Sequence, residues 1–144
     1  MLVRCVYASR AATEPTDSLL DSILRQSREH NPSHGITGLL CVTGDIFIQV
    51  LEGGRDPVCE LYNTIVGDTR HRNVRLLAYE EIRQRKFGTW TMGQVDLSKV
   101  NRSLLLKYHE TAELNPFDCS GEATLALLDD LVATASIAGR SNER

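Results

Sequence analysis

The chain is 144 residues long, 42% hydrophobic, 24% charged and 6% aromatic, which suits one compact domain that buries around two thirds of its unfolded surface. Sixteen Lys and Arg against 19 Asp and Glu give a formal charge of −3 with histidines neutral, so no general electrostatic attraction draws nucleic acid or anionic lipid. No apolar run approaches the roughly 20 residues of a bilayer-spanning helix, and the opening Met1-Leu2-Val3-Arg4-Cys5-Val6-Tyr7 is too short and wrongly flanked for a signal peptide. The expected location is cytoplasmic, with neither nucleic acid nor membrane as a partner.

Residues 2–8 form a β-rich run and predict a first strand. Pro15-Thr16-Asp17 offers a helix start with Thr16 or Asp17 as the cap, and Leu19, Leu20, Ile23, Leu24 and Ser27 fall on one helical face. Asn31-Pro32 ends that helix, because a residue before proline avoids the α region. Two β runs follow at 35–43 and 46–52, joined as a hairpin at Gly44-Asp45. Gly53-Gly54 breaks the chain, and Asp56-Pro57 starts a second helix whose apolar face is Val58, Leu61, Tyr62 and Ile65. A strand at 74–82, the basic run Arg83-Gln84-Arg85-Lys86 and a short strand at 89–95 complete the series.

Residues 1–97 thus spell β-α-β-β-α-β plus one strand, the order of the α+β, ferredoxin-like arrangement. It places the first and third strands side by side, with both helices on one sheet face. The other face would carry Leu2, Val6, Ile46, Ile48 and Val50, too apolar to leave wet. Residues 98–138 supply its cover: a short helix beginning at Leu104-Leu105-Leu106, and another capped by Ser120 with Leu125, Leu128, Leu131, Val132 and Ala135 at helical spacing. Residues 139–144 read as a flexible tail.

Cys5, Cys41, Cys59 and Cys119 lie 36, 18 and 60 residues apart, with no CxxC pair and no zinc-finger spacing. They read as packing residues, and no metal is expected.

Polar groups inside the strands carry more information. Gln49 is an amide among apolar neighbours, and its face of the third strand is Phe47, Gln49 and Leu51. If Tyr7 shares that side of the adjacent strand, a phenol and an amide meet beneath the helices, and Asn31 could bring a second amide to the same end. Buried groups of this kind need partners or cost a few kcal/mol each. Either they satisfy one another, or a ligand rich in donors and acceptors completes the set.

The stretches Cys5-Val6-Tyr7-Ala8-Ser9, His30-Asn31, Ile36-Thr37-Gly38-Leu39-Leu40, Phe47-Ile48-Gln49-Val50-Leu51-Glu52-Gly53, Asp68-Thr69-Arg70-His71-Arg72-Asn73-Val74 and Arg85-Lys86-Phe87-Gly88-Thr89-Trp90-Thr91-Met92 together resemble the BLUF family of blue-light receptors, in order and over roughly residues 1–97. The resemblance implies a noncovalently bound flavin, as FAD with FMN and riboflavin as alternatives, held edge-on to the sheet between the two helices. Ile23 and Ile65 match the residues that sandwich the ring, and Asn31 the amide on its carbonyl and imide edge. Asp68 and Arg70 match polar residues near the pyrimidine side and the ribityl chain, and His30 a position near the flavin. His71, next to Arg70 in a loop, reads as a solvated histidine. Tyr7 and Gln49 match the photoactive pair: an excited flavin is a strong oxidant, tyrosine can give it an electron and then a proton, and glutamine can relay that proton and exchange which end faces the ring. Trp90 and Met92 match the switch region on the final strand.

The leading expectation is therefore a light sensor without catalytic activity. About 47 residues follow the matched region, enough for two helices but not for a cyclase, phosphodiesterase or DNA-binding domain. Output is expected through a separate effector protein or a homo-oligomer. Two other classes share the fold. An acylphosphatase-like hydrolase would want an Arg-rich phosphate cradle after the first strand, where Ser9-Arg10-Ala11-Ala12 offers one arginine and no glycine. A light-insensitive interaction module has no need of Tyr7, Asn31 and Gln49 together.

Overall fold

A computed structural model of the chain describes residues 1–13, 17–133 and 138–140. The elements are β1 (Leu2–Ala11), α1 (Asp17–His30), β2 (Thr37–Thr43), β3 (Ile46–Gly54), α2 (Arg55–Val66), β4 (His71–Ile82), β5 (Trp90–Asp96), α3 (Arg102–Tyr108), α4 (Gly121–Ala133) and β6 (Ala138–Arg140), with 3-10 turns at Pro32–His34, Leu97–Lys99 and Pro116–Asp118. They build one sheet in the order β4-β1-β3-β2-β5-β6. β1 is antiparallel to β3 and β4, β2 is antiparallel to β3, and β5 runs parallel to β2. This is the ferredoxin-like order, with β1 and β3 in the sheet centre.

Alternation along the strands divides the core in two. Val3, Cys5, Leu40, Phe47 and Leu51 pack under α1 and α2 with Ile23, Leu24 and Val58. On the other face Val6, Ala8, Ile48 and Val50 pack against Leu105, Leu127, Leu128 and Leu131 of α3 and α4, with Ile46 partly buried beside them. The apolar second face is therefore covered by the C-terminal helices. Leu2, at the start of its strand, is half-buried and outside that cluster.

Two glycines let the hairpin close. Gly44 takes φ +54° in the two-residue turn between β2 and β3, which suits the first central position of a type II′ turn. At Gly38 a Cβ would lie 1.8 Å from the Val50 carbonyl oxygen on β3, so no side chain fits.

Several boundaries differ from the sequence reading. β2 begins at Thr37 rather than 35, because the Pro32–His34 turn ends at Gly35 with φ +68°. α2 begins at Arg55, after Gly54 as its cap, ahead of Asp56-Pro57. β4 reaches back to His71 and β3 forward to Gly54. α3 starts at Arg102, where the Asn101 side chain accepts from Ser103 N, and Ser120 Oγ accepts from Ala123 N at 3.0 Å, the cap expected for α4. Ala138–Arg140 is a strand beside β5, where the sequence reading ends the helical extension at 138 and begins a tail at 139. Thr16, Ala135 and residues 141–144 lie outside the described residues.

Candidate functional site

The β1–β3 register makes Tyr7 and Gln49 Cα partners, and cross-strand partners share a face. Their side chains meet under α1 and α2: Tyr7 Oη donates to Gln49 Oε1, and both residues are buried. Gln49 Nε2 lies 3.4 Å from Met92 Sδ as a donor. Burial holds the Tyr7 phenol well above its ordinary pKa, so it keeps its proton. The Tyr62 ring stands edge-on to Tyr7, with centroids 5.8 Å apart.

Asn31 arrives at the same end by a route the sequence misread. α1 does stop at His30, yet Asn31 keeps α-type backbone, φ −66° and ψ −38°, despite the following proline. Its backbone is tied on both sides, accepting from His34 N and Ile36 N and donating to Ser27 O, and those bonds override the pre-proline preference. The side chain is 1% exposed, and neither Nδ2 nor Oδ1 has a hydrogen-bond partner. Native structures pair the great majority of such groups, and each one left unpaired costs about 1–3 kcal/mol.

Asn31 lines a cleft of about 290 Å³ between α1 and α2. Ile23 of α1 and Ile65 of α2 line it, with Leu61 beside Ile65, and Tyr7 and Gln49 line it from the sheet. Asp68, Arg70 and His30 line it too, so every flavin-contact residue expected from the resemblance borders one cavity. Asp68 and Arg70 form an ion pair at 2.7 Å, and Arg70 Nη2 also donates to Gln26 Oε1 at 2.7 Å. Hydrogen bonding from Arg70 holds the Asp68 carboxyl below its usual value. His30 is exposed and stacks on His34 with centroids 4.0 Å apart.

His71 corrects an expectation. It is a buried residue at the start of β4, with Nδ1 2.9 Å from Ser9 Oγ, its ring edge-on to Phe47, and a place in the cleft lining. Burial lowers its pKa and favours the neutral ring. The missed signal was Ser9, two residues after Tyr7 on the same strand face, whose buried hydroxyl called for a partner. Gln26, Ser27 and Thr64 also line the cleft; Ser27 lies four residues after Ile23 on the helical face the sequence marks, whereas nothing in the spacing of Gln26 or Thr64 marks them.

Trp90 and Met92 lie two residues apart, a spacing that on a regular strand shares a face. They do not: Met92 is buried in the cluster under α1 and α2, and Trp90 in the cluster under α3 and α4. The ladder is irregular between Trp90 and Gln94, which turns the chain over. The Met92 carbonyl accepts from Arg28 Nε and Nη2 at 3.2 and 3.0 Å, tying β5 to α1. Cys5 and Cys41 are free and buried, their thiols pushed up to about 12 by burial. Such thiols are inert packing groups.

The fit to a flat heterocycle follows from these groups. A slot with aliphatic side chains on both helices suits a fused ring, and an amide offering a donor and an acceptor side by side suits an imide edge. The isoalloxazine of a flavin has both features.

Comparison with known proteins gives the same answer. The family model "BLUF: Sensors of blue-light using FAD" matches residues 2–93. The beta subunit of the photoactivated adenylate cyclase of Euglena gracilis is 34% identical over 93 residues, which are 63% of this chain and 11% of that protein; the chain thus spans about a tenth of that relative's length. The photo-activated state of BlsA superposes with a TM-score of 0.80 at 30% identity, covering 92% of this chain and 95% of that one. The dark state of BlrB, a BLUF protein, gives 0.74 at 33% identity over 93% and 96%. The chain belongs to the BLUF family of flavin-using blue-light sensors.

Proposed function

We propose that this chain is a blue-light photoreceptor that holds one flavin in the α1–α2 cleft, converts excitation into a turned amide at Gln49, and passes that change through β5 to an effector protein. The observation that carries the reading is that Asn31, whose two side-chain polar atoms are unpartnered, lines the same cleft as the hydrogen-bonded residues Tyr7 and Gln49. Asn31 would hold the carbonyl and imide edge of the ring, Ile23 and Ile65 its two faces, Asp68 and Arg70 the pyrimidine side and the start of the sugar chain, and His30 the mouth. FAD is the form in the family description; FMN and riboflavin share the ring that these residues address.

When bound, the flavin supplies absorption of blue light and, once excited, a strong demand for an electron. Tyr7 is the residue placed to meet it. A phenol that has lost an electron becomes a strong acid, and the Tyr7 proton already lies on a hydrogen bond to Gln49 Oε1. Gln49 would take that proton at Oε1 and give one up from Nε2 to the ring that has accepted the electron, and the amide would turn about its Cγ–Cδ bond before the charges recombine. Return of that electron and one proton from the ring would restore Tyr7 and leave the amide turned. An amide oxygen cannot donate to Met92 Sδ, so the contact now at 3.4 Å is lost. Met92 is on the cleft side of β5 and Trp90 is packed among the C-terminal helices, so one strand joins the two cores. Output then leaves through α3 and α4 to a separate protein, and the chain itself performs no catalysis. No helix among the described residues is long and apolar enough to cross a membrane.

The test is optical. The purified chain should be yellow, and blue light should move its visible band slightly to the red, reversibly in darkness. Bleaching through a covalent adduct, or no response at all, contradicts the proposal. For the output step, Trp90→Ala should keep the spectral change and lose light-dependent binding of the effector.

A further inference from the structure

β4 ends the sheet, with β1 on its inner side. Its central segment, Arg75-Leu76-Leu77-Ala78-Tyr79-Glu80, carries a cation at one end and an anion at the other. Between them, Leu76 is 51% exposed and Tyr79 43% exposed. Edge strands of soluble proteins are ordinarily short or charged towards their middle; this one is long and apolar in its centre.

The faces of the segment have an unusual order. Tyr79 approaches Cys59 of α2 at 3.8 Å, and Leu76 is the Cα partner of Tyr7, so both lie on the α2 side. Glu80 reaches Arg4 at 2.6 Å, and Arg75 opposes Ala8, a residue of the α3–α4 cluster. Leu77 and Ala78 both pack against that same cluster, because the β1–β4 register slips at Leu77. From 75 to 80 the faces therefore run far, near, far, far, near, far, a sequence that reads the same in both directions.

We propose that this edge pairs antiparallel with the same edge of a second copy, about a twofold axis between Leu77 and Ala78. In that register Arg75 stands opposite Glu80 of the second copy, Leu76 opposite Tyr79, and Leu77 opposite Ala78. Every opposed pair shares a face, two ion pairs form, and the exposed leucine and tyrosine cover one another. A shift of one residue sets Leu76 against Ala78 on the opposite face and loses both ion pairs. An unrelated strand has no reason to match the irregular face order, whereas a second copy matches it by symmetry. The seam rests on β4 alone and does not depend on flavin being bound.

Charge reversal tests it without a structure of the assembly. In sedimentation of the full chain, wild type should show a concentration-dependent dimer, and Arg75→Glu and Glu80→Lys should each weaken self-association about tenfold or more, since each homodimer then holds two like-charge pairs. An equimolar mixture of the two variants should recover the dimer, because both cross-strand pairs are opposite in sign in the mixed species. Glu80→Lys also alters the contact with Arg4, so Leu76→Lys, which changes only an exposed side chain, serves as the second probe and should give monomers with unchanged circular dichroism. A wild type that is monomeric at millimolar concentration overturns the proposal. So do variants that dimerise as wild type does, or folded variants whose mixture shows no recovery.

Discussion

The two faces of the sheet are built from alternate residues of the same strands and end in opposite conditions. The face under α3 and α4 is sealed: Val6, Ala8, Ile48, Val50, Leu127 and Leu128 are fully buried against one another. The face under α1 and α2 has an equally apolar base, yet between its helices lies a cleft with a buried phenol, two amides and a neutral histidine. Apolar burial supplies stability on both sides, and the α3–α4 side also buries an Arg4–Glu52 ion pair whose carboxylate is met by Arg4 and by Lys86 and Phe87 N; the unpaired amide of Asn31 belongs to the cleft side. A tyrosine held above its usual pKa and an asparagine with two unpaired atoms are costs to the apoprotein that a ligand can offset.

The largest effect should come from the cleft pair. Gln49→Leu keeps bulk and loses the relay, while Tyr7→Phe keeps the ring and loses the proton; each should abolish the light-induced shift and leave fold and flavin binding intact. A normal shift in either would end the contrast between a working face and a supporting one. On the sealed face, Leu128→Ala removes a fully buried side chain and should cost about 2–5 kcal/mol of stability. Denaturant unfolding measures that cost, and the spectral shift should survive in the protein that remains folded.

Asn31→Ala sharpens the comparison from the other direction. With its unpaired amide gone, the apoprotein should melt no lower than wild type, whereas flavin affinity should fall about tenfold, or 1.4 kcal/mol. Fluorescence titration and thermal melts read the two quantities separately. Equal loss of both would mean that the amide serves the fold.

A smaller effect should follow pH. Burial lowers the His71 pKa from its ordinary 6.5, so in that window the unfolded chain binds more protons than the native one. Stability from this group is complete above about pH 6.5 and falls as pH drops towards the native value. His71→Asn should flatten that part of the pH–stability curve. An unchanged slope would contradict the assignment.

Much of this was legible in the chain. Alternation placed Gln49 with Phe47 and Leu51, and the element order put the strand of Tyr7 beside it, so their meeting followed from sequence. The cover over Ile48 and Val50 followed from their hydrophobicity. What escaped depends on local irregularity that no periodic pattern records. Trp90 and Met92 face opposite ways because the β5 ladder is irregular. Asn31 stays helical because backbone bonds to His34, Ile36 and Ser27 outweigh the proline rule, and His71 is buried because β4 starts three residues before its apolar run. The Arg28 bond to the Met92 carbonyl joins elements 64 residues apart, a separation across which sequence carries no visible signal.

The central claim is that light turns the Gln49 amide while the rest of the cleft holds still. The most direct measurement is a light-minus-dark infrared difference spectrum of flavin-loaded protein with isotope-labelled glutamine. The account predicts label-sensitive amide bands that appear under blue light, decay with the visible shift, and vanish in Gln49→Leu. A red shift with no label-sensitive band, or bands that persist in Gln49→Leu, would contradict it.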